Sequence, residues 1–125
     1  KVTEKDQQEA QALSLVQSEI DSRDFQKFVL NFLNDNNATV EDYKDVESIT
    51  VRDSDVEVSG DEATVSVELK IKFFNDGDTD SEDRETALVT GEFDVSDLVF
   101  DDKFIDAEVD SYDASDFNFV KFYSK

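Results

Sequence analysis

The stretch from Glu62 to Phe73 alternates strictly between polar and apolar residues, and it constrains the fold more than any other part of the sequence. Apolar side chains occupy the odd positions, and polar side chains occupy the even positions. Successive side chains of a β-strand point to opposite faces of its sheet, whereas a helix would distribute these apolar residues around its circumference. The pattern therefore predicts a long strand with one face in the core and the other in water.

A second alternating segment lies just before this strand and predicts a β-hairpin. Val56 and Val58 alternate with acidic residues, and a Gly-Asp pair at 60–61 separates them from the longer run. A two-residue turn there would place Val58 opposite Ala63 and Val56 opposite Val65. Because these pairs bring apolar residues together on one face, the turn and the hydrophobic pattern predict the same register.

Three more segments predict strands of the same sheet, at 85–95, 105–109 and 117–123. Gly91 falls on the apolar face of the first segment, where a missing side chain would permit a close approach or a bend. In the last segment the apolar residues change parity, so the face that they occupy stays open. A similar change of parity around 52–55 predicts a bulge or a break in the strand before the hairpin.

Residues 3–34 form the predicted helical part of the chain. Thr3 is the expected N-cap, and the acidic residues after it suit the positive end of the helix dipole. Apolar residues recur at helical spacing in two stripes, Ala10, Leu13, Val16 and Ile20 followed by Phe25, Phe28, Val29, Phe32 and Leu33. Cap-type residues at 21–24 separate the stripes, which predicts two helices with a kink or short turn near Asp21, or alternatively one bent helix. The aromatic stripe is typical of a core, with the lining of a ligand pocket as the alternative.

These patterns predict an α+β fold in which N-terminal helices pack on a curved antiparallel sheet of four to five strands. The length of 125 residues favours a single domain over 1–125, with the helices in 3–34 and the sheet in 46–123. No run approaches the roughly 20 apolar residues of a membrane-spanning helix. The sequence begins with Lys1, and we expect that an N-terminal segment was removed, in agreement with an extracytoplasmic or secreted location.

The chain carries 33 acidic residues against 12 basic ones, for a net charge of −21. Such self-repulsion opposes compaction and is screened by salt. Three hypotheses follow: a salt-adapted (halophilic) surface, an acidic extracellular domain, and mimicry of nucleic acid that blocks a basic protein. Direct binding to nucleic acid is disfavoured because phosphates would meet carboxylates, and the same argument disfavours adhesion to an anionic membrane. Lys70 and Lys72 share the polar face of the long strand, where neighbouring strand acids are the expected partners.

Cysteine and histidine are both absent, which excludes disulfides, thiolate metal sites and catalytic triads that contain histidine. Asp76, Asp78 and Asp80 alternate like the first ligands of a calcium loop, so calcium is the one cofactor that the sequence suggests. The EF-hand pattern is incomplete, because Ser81 replaces the turn glycine and Ala87 replaces the last glutamate. A solvated acidic loop is the competing interpretation of this segment.

Three short segments carry a family resemblance. Residues 16–25 resemble a kinked helix entry with a small-acidic-Phe sequence, and residues 58–67 are similar to a Gly-Asp-x-Ala-Thr-Val hairpin. Residues 101–105 look like an Asp-Gly-Lys-Trp-x-Ile turn, with Asp102 in place of Gly and Phe104 in place of Trp. The chain thereby resembles the nuclear transport factor 2-like superfamily, the cystatin-like α+β roll, and most of all its small secreted members.

The resemblance implies a roll fold but does not determine an activity, since the family includes isomerases, dehydratases, binding modules and accessory domains. Its enzymes generally pair an Asp with a His or Tyr in a conical pocket, so the absence of histidine favours a member that is not an enzyme. The leading hypothesis is a non-enzymatic binding or accessory domain that uses the concave sheet face or the cavity under the helices. It would act on an unknown protein or small ligand, as a monomer or as a homodimer through the sheet. The alternatives are an acidic nucleic-acid mimic and a histidine-free enzyme with a carboxylate beside Tyr43, Tyr112 or Tyr123.

Overall fold

The computed structural model describes residues 3–74, 84–100 and 104–124, in which two helices precede a five-stranded antiparallel sheet. The helices are α1 (Glu4–Ile20) and α2 (Arg23–Asp35), and the strands are β1 (Val46–Ser59), β2 (Glu62–Phe74), β3 (Arg84–Ser96), β4 (Glu108–Val109) and β5 (Phe117–Ser124). This arrangement confirms the predicted α+β class with N-terminal helices. Neither helix has the length and apolarity that crossing a bilayer requires.

Short side-chain caps separate the two helices. Thr3 begins α1 with a capping box, in which the Asp6 amide donates to Thr3 Oγ1 at 3.1 Å and the Asp6 carboxylate accepts from the Thr3 amide. Ser22 begins α2 in the same way, since its Oγ accepts from the Phe25 amide at 3.2 Å. The same hydroxyl donates to the Glu19 carbonyl in the last turn of α1. The junction is therefore a short turn and not one bent helix.

The buried stripe of α1 differs from the predicted one. It comprises every fourth residue, Gln8, Ala12, Val16 and Ile20, whereas Ala10 and Leu13 are exposed. Gln8 is buried because its side-chain amide donates to two backbone carbonyls, that of Leu98 at 2.5 Å and that of Gly60 at 3.2 Å. The stripe of α2 is confirmed, with Phe25, Val29, Phe32 and Leu33 buried.

The hairpin between β1 and β2 has the predicted register. Val58 lies opposite Ala63 and Val56 lies opposite Val65, and the turn places Gly60 at a φ of 66°. A register shift between Val51 and Asp53 confirms the predicted irregularity in β1. The odd-numbered residues of β2 from 63 to 73 are all buried, so the apolar face that the sequence predicts for this strand lies in the core.

Strand β3 has β2 on one side and both β4 and β5 on the other. Along β5 the register shifts by one residue, because Val89 pairs with Phe119 whereas Leu88 pairs with Lys121. Val120 is the extra residue, and this bulge explains the change of parity in the sequence. As a result the aromatic residues Phe117, Phe119 and Phe122 lie opposite Gly91, Val89 and Ala87 on the same face.

The strand predicted at 105–109 is largely wrong. Only Glu108–Val109 pairs with β3, residues 104–106 form a turn, and the Ile105 side chain is 80 % exposed. Phe104 has a φ of 65°, in the left-handed region that a regular strand excludes. In the observed register, moreover, residues 105–107 would lie opposite 97–99, beyond the end of β3 at Ser96, where Asp97 has a φ of 61°.

Candidate functional site

The space between the helices and the sheet is filled with aromatic rings. Phe28 packs against Phe117 with ring centroids 5.1 Å apart, and Phe93 packs against Phe117 at 5.4 Å. Phe25 completes the cluster, at 5.6 Å from Phe28 and 5.7 Å from Phe93. This confirms that the aromatic stripe belongs to the core. Within the described residues, packed aromatic rings occupy this part of the space between the helices and the sheet.

One tyrosine does lie beside a carboxylate, as the enzyme hypothesis requires. The Tyr112 hydroxyl donates a hydrogen bond to the Glu19 carboxylate, and its ring contacts Phe28 and Phe93 at 5.2 Å from each. Burial raises the pKa of Tyr112 well above its usual value, and the hydrogen bond and negative charge of Glu19 raise it further. The phenol therefore stays protonated, and it links the segment between β4 and β5 to α1 through a hydrogen bond rather than acting as a base.

Of the other two candidate tyrosines, only Tyr43 has a side chain within the described part of the structure. Tyr43 lies beside two cations, with the Arg23 guanidinium 5.7 Å and the Lys27 ammonium 5.5 Å from its ring centroid. The side chain of Tyr123 is outside the described part of the structure. Asp76, Asp78 and Asp80 are also outside the described residues, so calcium binding by that loop stays a prediction.

The outer face of the sheet, which points away from the helices, carries a regular array of charged side chains. Because directly opposed residues of an antiparallel pair share a face, the register determines the neighbours of each outer residue of β2. Asp55, Ser66 and Glu92 form one row across three strands, and the next row is Glu57, Thr64 and Asp94. Asp53 lies opposite Glu68 in the row on the other side.

We call these six carboxylates the acidic half of the outer face, namely Asp53, Asp55, Glu57, Glu68, Glu92 and Asp94. Glu68 lies 3.4 Å from the Arg52 guanidinium, and Asp94 accepts a hydrogen bond from Thr64 Oγ1 at 3.3 Å. Among the described residues, the Asp55 and Glu57 side chains have no hydrogen-bond or ion-pair partner, and both residues are exposed. The acidic half therefore presents carboxylates that are available to a cation.

Lysines occupy the other half of the same face. Lys70 lies between Thr50 and Leu88, and Lys72 lies between Ser48 and Thr86. Lys121 of β5 lies on the far side of Leu88. We call Lys70, Lys72 and Lys121 the lysine half. The residues directly opposite Lys70 and Lys72 are hydroxyl or apolar residues, and the ion pair seen among the described strands is Arg52–Glu68.

An open depression of about 240 Å³ lies where the acidic half meets the hairpin turn. Its walls include four carboxylates, from Glu57, Glu62, Asp94 and Asp110. Within the described ranges, however, no group of three or more Asp or Glu residues is arranged to hold a metal ion. The spacing is thus better suited to separate contacts with ammonium or guanidinium groups than to chelation of one ion.

Comparison of the chain with protein-family models, with curated proteins and with solved structures found no match. The resemblance to the nuclear transport factor 2-like superfamily therefore stays a prediction.

The sequence contained only part of the signal for this site. The hairpin register, which follows from the turn at 60–61, already places Asp55 opposite Ser66 and Glu57 opposite Thr64. The alignment of β3 with β2 depends on tertiary packing, because the residues between these strands are too many to impose one register. The sequence therefore does not predict the separation of acids from lysines.

Proposed function

We propose that this protein is a non-enzymatic binding domain that uses the acidic half of its outer sheet face to bind a basic surface of another protein. The observation that supports the proposal most is the segregation of charge on one face. Six carboxylates share three adjacent rows, and the lysines lie in the rows beyond them. A surface that served solubility alone would gain nothing from separating the two signs.

The spacing of the carboxylates supports the same proposal. Successive outer residues of one strand lie about 6.7 Å apart, and neighbouring strands lie about 4.8 Å apart. Asp53, Asp55 and Glu57 therefore form a straight line along β1, which we call the β1 row. Glu68 lies next to this line on β2, and Glu92 and Asp94 lie one strand further away on β3. The field of this array would speed encounter with a basic partner and would weaken as salt is added.

A matched pair of triple variants tests the proposal. Asp53→Asn, Asp55→Asn and Glu57→Gln neutralise the β1 row, whereas Asp35→Asn, Asp106→Asn and Glu41→Gln neutralise three exposed acids elsewhere. Both variants have the same net charge. A fluorescent lysine-rich peptide should bind the β1 variant about ten-fold more weakly than the control variant, for three contacts of about 0.5 kcal/mol each. Equal weakening in both variants would show that only net charge matters and would reject the site.

The β1 row also favours a second candidate, mimicry of nucleic acid. Its regular carboxylates are separated by a distance close to that between successive phosphates of an extended strand. In that case the partner's basic surface is itself a nucleic-acid groove. The protein should then displace a DNA duplex from a basic DNA-binding protein, and the β1 variant should displace it less well than the control variant. Failure to displace DNA from any basic protein that it binds would exclude mimicry while leaving the binding proposal intact.

The lysine half suggests that the basic partner is a second copy of this chain, which would give a homodimer through the sheet. A two-fold axis that lies parallel to the outer face and runs across the strands would place the lysine half of one copy against the acidic half of the other. Sedimentation velocity over a range of protein concentrations tests this directly. A dimer that dissociates in high salt is the expected result, and a monomer at every concentration excludes this form.

A further inference from the structure

The edge of β1 is the second feature of the acidic half. In the order β1-β2-β3, β1 pairs with β2 alone among the described strands, so every second residue of β1 directs its backbone N–H and C=O away from the sheet. Such an edge is a template for an added strand. Its ability to accept one depends on its regularity and on the side chains on its two sides.

The stretch Asp53–Ser59 is regular enough to accept a strand. It pairs with β2 residue by residue, with no register shift, from Asp53 opposite Glu68 to Ser59 opposite Glu62. The bulge before Asp53 and the turn after Ser59 limit it on both ends. The remaining length of β1 is less suitable, since two register shifts interrupt it at 46–48 and 51–53.

The two faces of this stretch would contact different kinds of side chain on an added strand. Asp53, Asp55 and Glu57 lie on the outer side, opposite polar residues of β2. Val56 and Val58 lie on the inner side, where they pack against the core but remain partly exposed. An added strand would place one set of its residues beside the carboxylates and the alternate set against these valines.

We infer that the partner contributes an extended segment in which basic residues alternate with apolar ones, and that this segment adds to the β1 edge at Asp53–Ser59 as a sixth strand. The inference rests on the proposed function, since it names how the acidic half meets its basic partner. Charge complementarity selects the outer residues of the segment, and the partly exposed valines select the inner ones. Acidic residues on an edge also protect against indiscriminate pairing, so segments without basic residues would be rejected.

Three labelled octapeptides test the inference on the complete chain. The first alternates lysine with valine, the second has the same composition in two blocks, and the third is the alternating peptide with alternate backbone amides methylated. The alternating peptide should bind about ten-fold or more tightly than either control. Amide hydrogen exchange should slow within 53–59 only in its presence.

Reversal of the edge charge adds a gain-of-binding test. The variant Asp53→Lys, Asp55→Lys and Glu57→Lys should lose the lysine–valine peptide and acquire a glutamate–valine peptide of the same alternation. The matched variant Asp35→Lys, Glu41→Lys and Asp106→Lys should keep the original preference. Because all six positions are exposed, both variants should retain the fold, and circular dichroism checks this.

The outcomes separate the inference from the proposed function. If the three peptides bind equally well and no amide of 53–59 gains protection, the basic ligand lies on the outer face and the edge inference is wrong. If no lysine peptide binds differently to the β1 triple-neutral variant and its control, the proposed function itself fails. Tight, alternation-dependent binding with protection at 53–59 supports both.

Discussion

The ring of Phe117 lies directly over Gly91, so close that a Cβ atom built on Gly91 would be 2.1 Å from Phe117 Cδ2. The two residues are register partners on β5 and β3. The ring also packs against Phe25, Phe28 and Phe93, so it has little room to move away. Gly91 is thus the position that lets the Phe117 ring approach the backbone of β3.

Replacement of Gly91 by alanine should therefore destabilise the fold by about 1–3 kcal/mol, the usual cost of an overpacked core. Urea unfolding followed by circular dichroism measures the change. Gly60→Ala provides the comparison, because a Cβ at Gly60 meets nothing within 4 Å and its cost comes only from the positive φ of 66°. In the double variant Gly91→Ala, Phe117→Leu the two costs should not add, and strict additivity would contradict the steric explanation.

A second prediction concerns the buried amide of Gln8. Gln8→Ala removes the donor from the carbonyls of Leu98 and Gly60, and should cost about 1–3 kcal/mol because these acceptors lose their partner in a buried site. Gln7→Ala is the matched control, since Gln7 is exposed on the same helix. Thermal unfolding of the two variants tests this, and equal midpoints would mean that the hydrogen bonds contribute nothing.

The parts of the fold that follow from local pattern could be predicted, and the parts that depend on distant contacts could not. The hairpin register at Gly60 comes from side-chain alternation and turn length, both of which are local. The caps Thr3 and Ser22 are equally local. By contrast, Gln8 is polar and gives no hydrophobic signal, although it holds the hairpin turn to α1.

The errors at the C-terminal end have the same origin. Residues 105–109 alternate as well as a true strand does, but alternation does not reveal where the neighbouring strand β3 ends. The acidic half is also a product of tertiary register, because Glu92 and Asp94 reach Asp55 and Glu57 only through the pairing of β3 with β2. Sequence alone located the acids on the polar faces of their strands but not their common row.

A third prediction uses the hydrogen bond from Tyr112 to Glu19. The folded-state pKa of Tyr112 is raised above the unfolded value of 10.0, so the phenol keeps its proton in the folded state while the unfolded chain releases it. The contribution of this group is present below about pH 10 and is lost as the pH rises above it. Tyr112→Phe should cost about 1 kcal/mol at neutral pH.

The free energy of unfolding of the original chain and of Tyr112→Phe is measured as a function of pH, from 7 to beyond 10. The difference between the original chain and Tyr112→Phe should shrink as the pH rises through the unfolded value. Tyr43→Phe controls for general effects of high pH, since the cations of Arg23 and Lys27 lie over the Tyr43 ring. A difference that stays constant over the whole range would contradict the assigned role of the Glu19 contact.

The last prediction concerns salt, because the net charge of −21 makes self-repulsion a large opposing force. The unfolding midpoint should rise between low and molar KCl, as expected for the proposed salt-adapted surface. At low salt Asp53→Asn should stabilise the fold by about 0.2–1 kcal/mol, since Asp53 lies directly opposite Glu68. The gain is limited because Arg52 already contacts Glu68 at 3.4 Å. Asp35→Asn, at the exposed end of α2, serves as the control, and the advantage of Asp53→Asn over it should vanish in molar KCl. A midpoint that is flat or falls with added salt would count against both the repulsion argument and the salt-adapted surface.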